Sequence, residues 1–146
     1  MMKVKFKKLD ANCKLPIKGS LHAACYDVYA SSISFKEGRI VYGLGFATEI
    51  PVGYKGIIVP RSNLTKHRWT MNNNLGVIDS DYRGEWMLSL SPFEGSIVDA
   101  GPLPYSVGER VAQIYFEKIL DFEFEEVDSL EDSERGTGGF GSTGVS

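Results

Sequence analysis

Little in this chain could hold a metal or cross-link a fold. Its 146 residues include two cysteines, Cys13 and Cys25, and two histidines, His22 and His67, in none of the spacings of a zinc or redox motif. A structural zinc site is therefore not expected, and cysteines so used suit a reducing, cytoplasmic compartment. Long apolar runs are missing too. The opening MMKVKFKKLD alternates lysine with apolar residues, and no stretch approaches the ~20 apolar residues that span a bilayer, so neither a signal peptide nor a membrane segment is expected. An excess of positive charge is likewise absent: the net charge is -3. That balance argues against a nucleic-acid or membrane-surface partner and leaves any phosphate site to the local placement of a few groups. No proline-rich linker divides the chain and nothing repeats. With 42% apolar residues, 146 positions suit one domain with a real core.

Period-two alternation fills most of what remains. VKFK near the start (Val4, Phe6), the run from Arg39 to Glu49, GYKGIIVP, WMLSLS, VAQIYFEK and FEFEEV all read as short strands, separated by glycine, proline, asparagine or serine. One helical candidate follows Arg61, where SNLTKH could form a turn or two with Ser62 as its cap. Frequent turn signals leave no room for crossover helices, which points to an all-β antiparallel sandwich or jelly roll. After about Val127 the large apolar residues thin out. Residues 131–146 read as a glycine-rich arm attached to a 1–130 domain, too poor in apolar surface to offset its own conformational entropy.

Five stretches could carry chemistry. GVIDSDYRGEW reads as a hairpin with Asp79, Asp81 and Tyr82 at its tip, although aspartates at such tips are usually just solvated. PRSNLTKH sets Arg61 and Ser62 at the start of the helical turn, where a hydroxyl and unpaired backbone amides suit an anionic oxygen, or where Ser62 simply caps. In GERVAQIYFEK, Val111 and Ile114 share no consistent strand face, which a bulge or a partly two-sided burial would explain, and Gln113 among apolar neighbours needs a partner. Asp27, in HAACYDVYAS, sits between apolar residues in an expected strand. The tail places five glycines within 135–145, around Arg135, Phe140, Ser142 and Thr143. Such glycines let backbone amides converge on phosphate oxygens while arginine forks onto a terminal phosphate, and Phe140 offers a flat face to a nucleobase.

In order along the chain, ACYDVYAS, PRSNL, GVIDSDYRGE, GERVAQI and RGTGGFGSTG resemble the five motifs of the trimeric deoxyuridine triphosphate nucleotidohydrolase (dUTPase) family. The resemblance implies a jelly-roll subunit of the β-clip type, a homotrimer with shared active sites, and hydrolysis of dUTP to dUMP and pyrophosphate with magnesium. It implies Asp79 as the carboxylate that deprotonates the attacking water, with Asp81 stabilising the turn. Tyr82 corresponds to the ring beneath the deoxyribose, where a 2′-hydroxyl would clash, and Asn73 to the amide that assists recognition of uracil. Ser62 and Gln113 match phosphate contacts, with Arg61 and Arg110 as supports. Asp27 matches an acid that meets magnesium through water. Arg135, Ser142 and Thr143 would bind the γ-phosphate, and Phe140 would stack on uracil, as the arm of one subunit closes a site formed with the others. Cys25 stands where the first motif commonly has glycine, and Asn63 where the second has glycine or serine. Two other readings remain open: a dCTP deaminase-like enzyme, and a non-catalytic regulatory binding protein on the same scaffold.

Overall fold

A computed structural model describes residues 2–139. Among them ten strands and one short helix follow in the order β1 (Lys5–Lys8), β2 (Tyr26–Tyr29), β3 (Ser32–Lys36), β4 (Arg39–Gly43), β5 (Phe46–Glu49), β6 (Tyr54–Pro60), a 3₁₀ helix (Ser62–Lys66), β7 (Trp69–Met71), β8 (Gly76–Ile78), β9 (Met87–Pro92) and β10 (Arg110–Lys118). All pairings are antiparallel. They form a two-stranded ribbon, β1-β5, and two four-stranded sheets, β2-β10-β6-β8 and β3-β4-β9-β7, none of which closes on itself. The jelly-roll, nearly all-β expectation is met.

The two larger sheets face each other across one core. Val28, Ile58, Val111 and Ile114 line it from the first, and Ile40, Tyr42, Leu88 and Leu90 from the second, all essentially solvent-free. Both tryptophans are core residues. Phe6, Phe46, Trp86 and Phe116 form an aromatic row, with successive ring centres 4.8, 5.6 and 6.3 Å apart, that joins the ribbon, through the residue just before β9, to β10. Trp86 anchors its indole N–H on the Thr48 hydroxyl at 3.0 Å, as a buried polar tip must. Gly56 makes room for it, since a Cβ there would stand 2.5 Å from the indole ring.

Three expectations need correction. The run from Arg39 to Glu49 is not one strand: Gly45, at φ +71°, breaks it so that β4 and β5 enter different sheets. The strand Gly76–Ile78 does not pair with the strand after the tip, because β8 adds to β6 while β9 pairs with β4 and β7. Residues 79–86 are thus a crossover between sheets. FEFEEV forms no strand; Phe122 and Phe124 are 76% and 97% exposed. Alternation describes a segment able to cover an apolar face, and among the described residues no strand pairs with that segment. Of the two explanations for β10, a bulge or two-sided burial, a bulge is present, between Arg110 and Ala112. It lets Val111, Ala112 and Ile114 all turn inward.

Candidate active site

Two groups of the expected site residues are assembled, at opposite ends of one sheet. The first lies where β2, β10 and β6 run side by side. The register sets Asp27 opposite Gln113, and Gln113 opposite Val59. Asp27 accepts Arg61 Nε–H on Oδ1 at 3.0 Å and Arg110 Nη1–H on Oδ2 at 3.1 Å. One carboxylate therefore clamps two guanidiniums, leaving one net positive charge beside Ser62. The half-buried Gln113 finds its partner in the Pro60 carbonyl, at 3.2 Å. Ser62 is not a cap. It is the exposed first residue of the 3₁₀ helix, whose cap position, Arg61, makes no side-chain cap bond. Its carbonyl accepts the Thr65 hydroxyl at 2.7 Å. Behind this cluster burial pushes the Tyr105 phenol up from its ordinary range, with the Arg61 charge pulling the other way.

The second group surrounds a recess of about 260 Å³ lined by Val77, Ile78, Asp79, Tyr82, Glu85 and Met87. Asp79 follows β8 directly, and its exposed carboxylate accepts no hydrogen bond from the described residues. Its carbonyl accepts Tyr82 N–H at 3.2 Å, closing the tip turn. Asp81 contributes no side-chain hydrogen bond to that turn among the described residues. Arg83 braces it instead, Nη1 donating to the Ser80 carbonyl at 2.7 Å and the Tyr82 carbonyl at 3.2 Å. Upstream, the three consecutive asparagines divide the work. Asn72 is bonded to the hydroxyls of Ser91 and Ser89 at 2.6 and 2.9 Å. Asn74 takes φ +55°, while Asn73 lays its amide over Gly76.

The two groups do not meet within one chain. Gly56 pairs with Ile78, and continuing that register sets Asp79 beside Lys55, whereas Arg61 and Ser62 follow the far end of β6. At 3.2–3.4 Å of rise per residue the separation is roughly 20 Å. Among the described arm residues, 131–139, no side-chain hydrogen bond reaches either group. Arg135 Nε–H donates to the Gly138 carbonyl at 2.9 Å and Gly136 N–H to the Ser133 carbonyl at 3.0 Å, bonds local to the arm. Phe140, Ser142 and Thr143 lie outside the described residues.

Sequence reasoning passed over Arg83, Glu85 and Asn72 as supports. The only local signal for Glu85 is an acid wedged between a glycine and a buried tryptophan. No cluster of three or more His, Cys, Asp or Glu side chains able to hold a metal occurs among the described residues, and none of them forms a helix long and apolar enough to cross a membrane.

Comparison with known proteins agrees along the whole length. The dUTPase family model matches residues 11–144. The probable deoxyuridine 5'-triphosphate nucleotidohydrolase of Schizosaccharomyces pombe is 40% identical over 142 residues, 95% of this chain and 96% of that protein. Among solved structures, the Staphylococcus bacteriophage 80alpha dUTPase with dUPNHPP superposes with a TM-score of 0.82 at 24% identity, covering 99% of this chain and 100% of that one. A dUTPase mutant from phage phi11 of S. aureus, described with a structural Mg(II) ion, gives a TM-score of 0.71 at 18% identity, covering 90% of this chain and 100% of that one.

Proposed function

The chain belongs to the dUTPase family and hydrolyses dUTP to dUMP, and we propose that Asp79 performs the step as general base in sites shared between subunits of a homotrimer. Asp79 takes a proton from water while the water oxygen bonds to the α-phosphorus. The bond from that phosphorus to the α,β-bridging oxygen breaks, and pyrophosphate leaves. The observation that carries this reading is the Asp79 carboxylate, unpartnered among the described residues and at the rim of the recess that also holds Tyr82. A base must lie within hydrogen-bond reach of its water, and a carboxylate already engaged could not serve. In the recess Tyr82 lies under the deoxyribose, and Asn73 and the backbone around it address uracil.

Ser62 and Gln113 take the phosphates, in the positive field left by the Asp27 clamp. Because that cluster lies roughly 20 Å from Asp79 along β6, it serves the nucleotide seated on a neighbouring subunit. Association is further supported by the exposed Phe122 and Phe124, whose alternation with Glu123 and Glu125 suits cover by another copy. From a third subunit the 131–146 arm closes the site, Arg135, Ser142 and Thr143 on the γ-phosphate and Phe140 on the base, excluding water and holding the chain in line.

Magnesium fits this donor set as an ion held chiefly by the nucleotide. It retains several waters and few protein ligands. Asp27, with both oxygens taken by arginines, can address it only through water. When bound, the ion neutralises phosphate charge. The unpaired Cys13 and Cys25 suit a cytoplasmic setting. The test is Asp79→Asn: pyrophosphate release from dUTP should fall by about 10²–10⁴-fold with unchanged oligomeric state. Turnover within threefold of the parent would remove Asp79 from the role.

A further inference from the structure

We propose that Glu85 is a positioning residue that fixes the Tyr82 ring, and through it the preference for deoxyribose over ribose; the inference rests on the reading of Tyr82 given above. Tyr82 is exposed and comes at the end of the tip turn, where among the described residues its own backbone is held by the bond to Asp79 and by Arg83 alone. A ring that rejects a 2′-hydroxyl by contact must be held to a fraction of an ångström. Exclusion by a mobile side chain fails, because the side chain moves aside.

What holds the ring is a relay through Glu85. The Tyr82 hydroxyl donates to the Glu85 carbonyl at 3.0 Å. The Glu85 carboxylate in turn accepts the Gly45 N–H at 2.8 Å, forty residues away in sequence. Gly45 is the break between β4 and β5, and its φ of +71° keeps it out of both ladders with its N–H free to donate. Three glycines clear the path. A Cβ on Gly43 would stand 2.7 Å from Glu85 Oε1, one on Gly45 would stand 2.6 Å from the Ser31 hydroxyl, and one on Gly84 would run into the phenol end of Tyr82. The ring therefore lies across Gly84, and the carboxylate fills the space above Gly43.

The residue after Glu85 is locked independently of the carboxylate: Trp86 N–H donates to the Phe46 carbonyl and Leu44 N–H to the Trp86 carbonyl, both at 3.0 Å, besides the indole bond to Thr48. Glu85 is thus the last point at which the loop is tied to the sheets. Deleting its carboxylate leaves the Glu85–Trp86 peptide in place through the Trp86 N–H, but frees the Glu85 Cα and the Arg83–Gly84–Glu85 backbone before it, on which the Tyr82 ring is carried to its acceptor.

The experiment compares kcat/KM for dUTP and for UTP in the full-length protein. Glu85→Ala should lower the dUTP-to-UTP ratio by about tenfold, the loss of one such hydrogen bond. Glu85→Gln keeps an acceptor oxygen and should stay within about threefold of the parent. Tyr82→Ala is measured alongside. If Tyr82→Ala leaves the ratio untouched, the reading of Tyr82 falls. If Tyr82→Ala relaxes the ratio and Glu85→Ala lowers both substrates in parallel, only the role of Glu85 falls. Should Glu85→Ala not fold, Tyr82→Phe cuts the same relay at an exposed position, and an unchanged ratio there overturns the proposal.

Discussion

Replacing Asp27 by asparagine separates two tasks that one carboxylate could perform. The side chain is 12% exposed and accepts one hydrogen bond each from Arg61, 24% exposed, and Arg110, 47% exposed. Charge-assisted bonds contribute about 1.5–3 kcal/mol each when shielded, and the Arg110 partner is open enough to water to discount its share to about 0.5–1 kcal/mol. Asparagine keeps the shape, loses the charge and can leave a guanidinium poorly paired. The expected cost is about 2–3 kcal/mol, or roughly 5–10 °C in Tm for a domain of this size. Thermal unfolding followed at fixed protein concentration, with chelator and without nucleotide, measures it. A clamp predicts the full loss under those conditions, since no ion is involved. If Tm moves by less than about 2 °C with chelator, and Asp27→Asn differs from the parent only in how much magnesium turnover requires, the clamp is not what Asp27 contributes.

Other outcomes follow from the same geometry. A chain ending at Glu134 should keep the parent's Tm without nucleotide, because among the described residues the Arg135 side chain bonds only to Gly138, yet lose about 100-fold or more in kcat/KM; unchanged turnover would show that the arm closes nothing. Phe122→Ser with Phe124→Ser removes two exposed rings, each able to contribute about 1.5–3 kcal/mol when covered. Sedimentation should then show a smaller species at low concentration, and a parental profile would show that the rings are not at an interface. Tyr42 donates its hydroxyl to the Tyr105 carbonyl at 3.0 Å and accepts the Tyr105 N–H at 3.3 Å, and burial pushes its phenol up to about 12. An unfolded tyrosine loses its proton near pH ~10. This contribution is therefore fully present below that pH and is lost as pH rises toward the folded value, at no more than about 1.4 kcal/mol per pH unit. Urea unfolding between pH ~9 and ~12 should show a gentler alkaline slope in Tyr42→Phe than in the parent, and equal slopes would count against the assignment.

The order of the motifs, the strand-rich class and the residue types suited to a nucleotide were all legible in the sequence, because each is a local property. Alternation marks a half-buried strand wherever it occurs, and Asp79 in GVIDSDYRG or Gln113 in GERVAQI carries its chemistry in its own side chain. The irregularity in β10 was legible for the same reason, since Val111 and Ile114 cannot share one face of a regular strand, but that a bulge rather than two-sided burial resolves it was decided by the structure. Partnership was not legible. FEFEEV alternates as well as VAQIYFEK does, yet only the second finds neighbours, β2 and β6, with which to pair. Asp27 meets Arg61 and Arg110, thirty-four and eighty-three residues away, only because β2 and β6 flank β10. The tie from Glu85 to Gly45 likewise exists only because the β4–β5 break and the tip loop are folded against each other. Hydrogen bonds and ion pairs act over a few ångströms, so composition and spacing determine which groups this chain owns, while sheet order decides which of them touch.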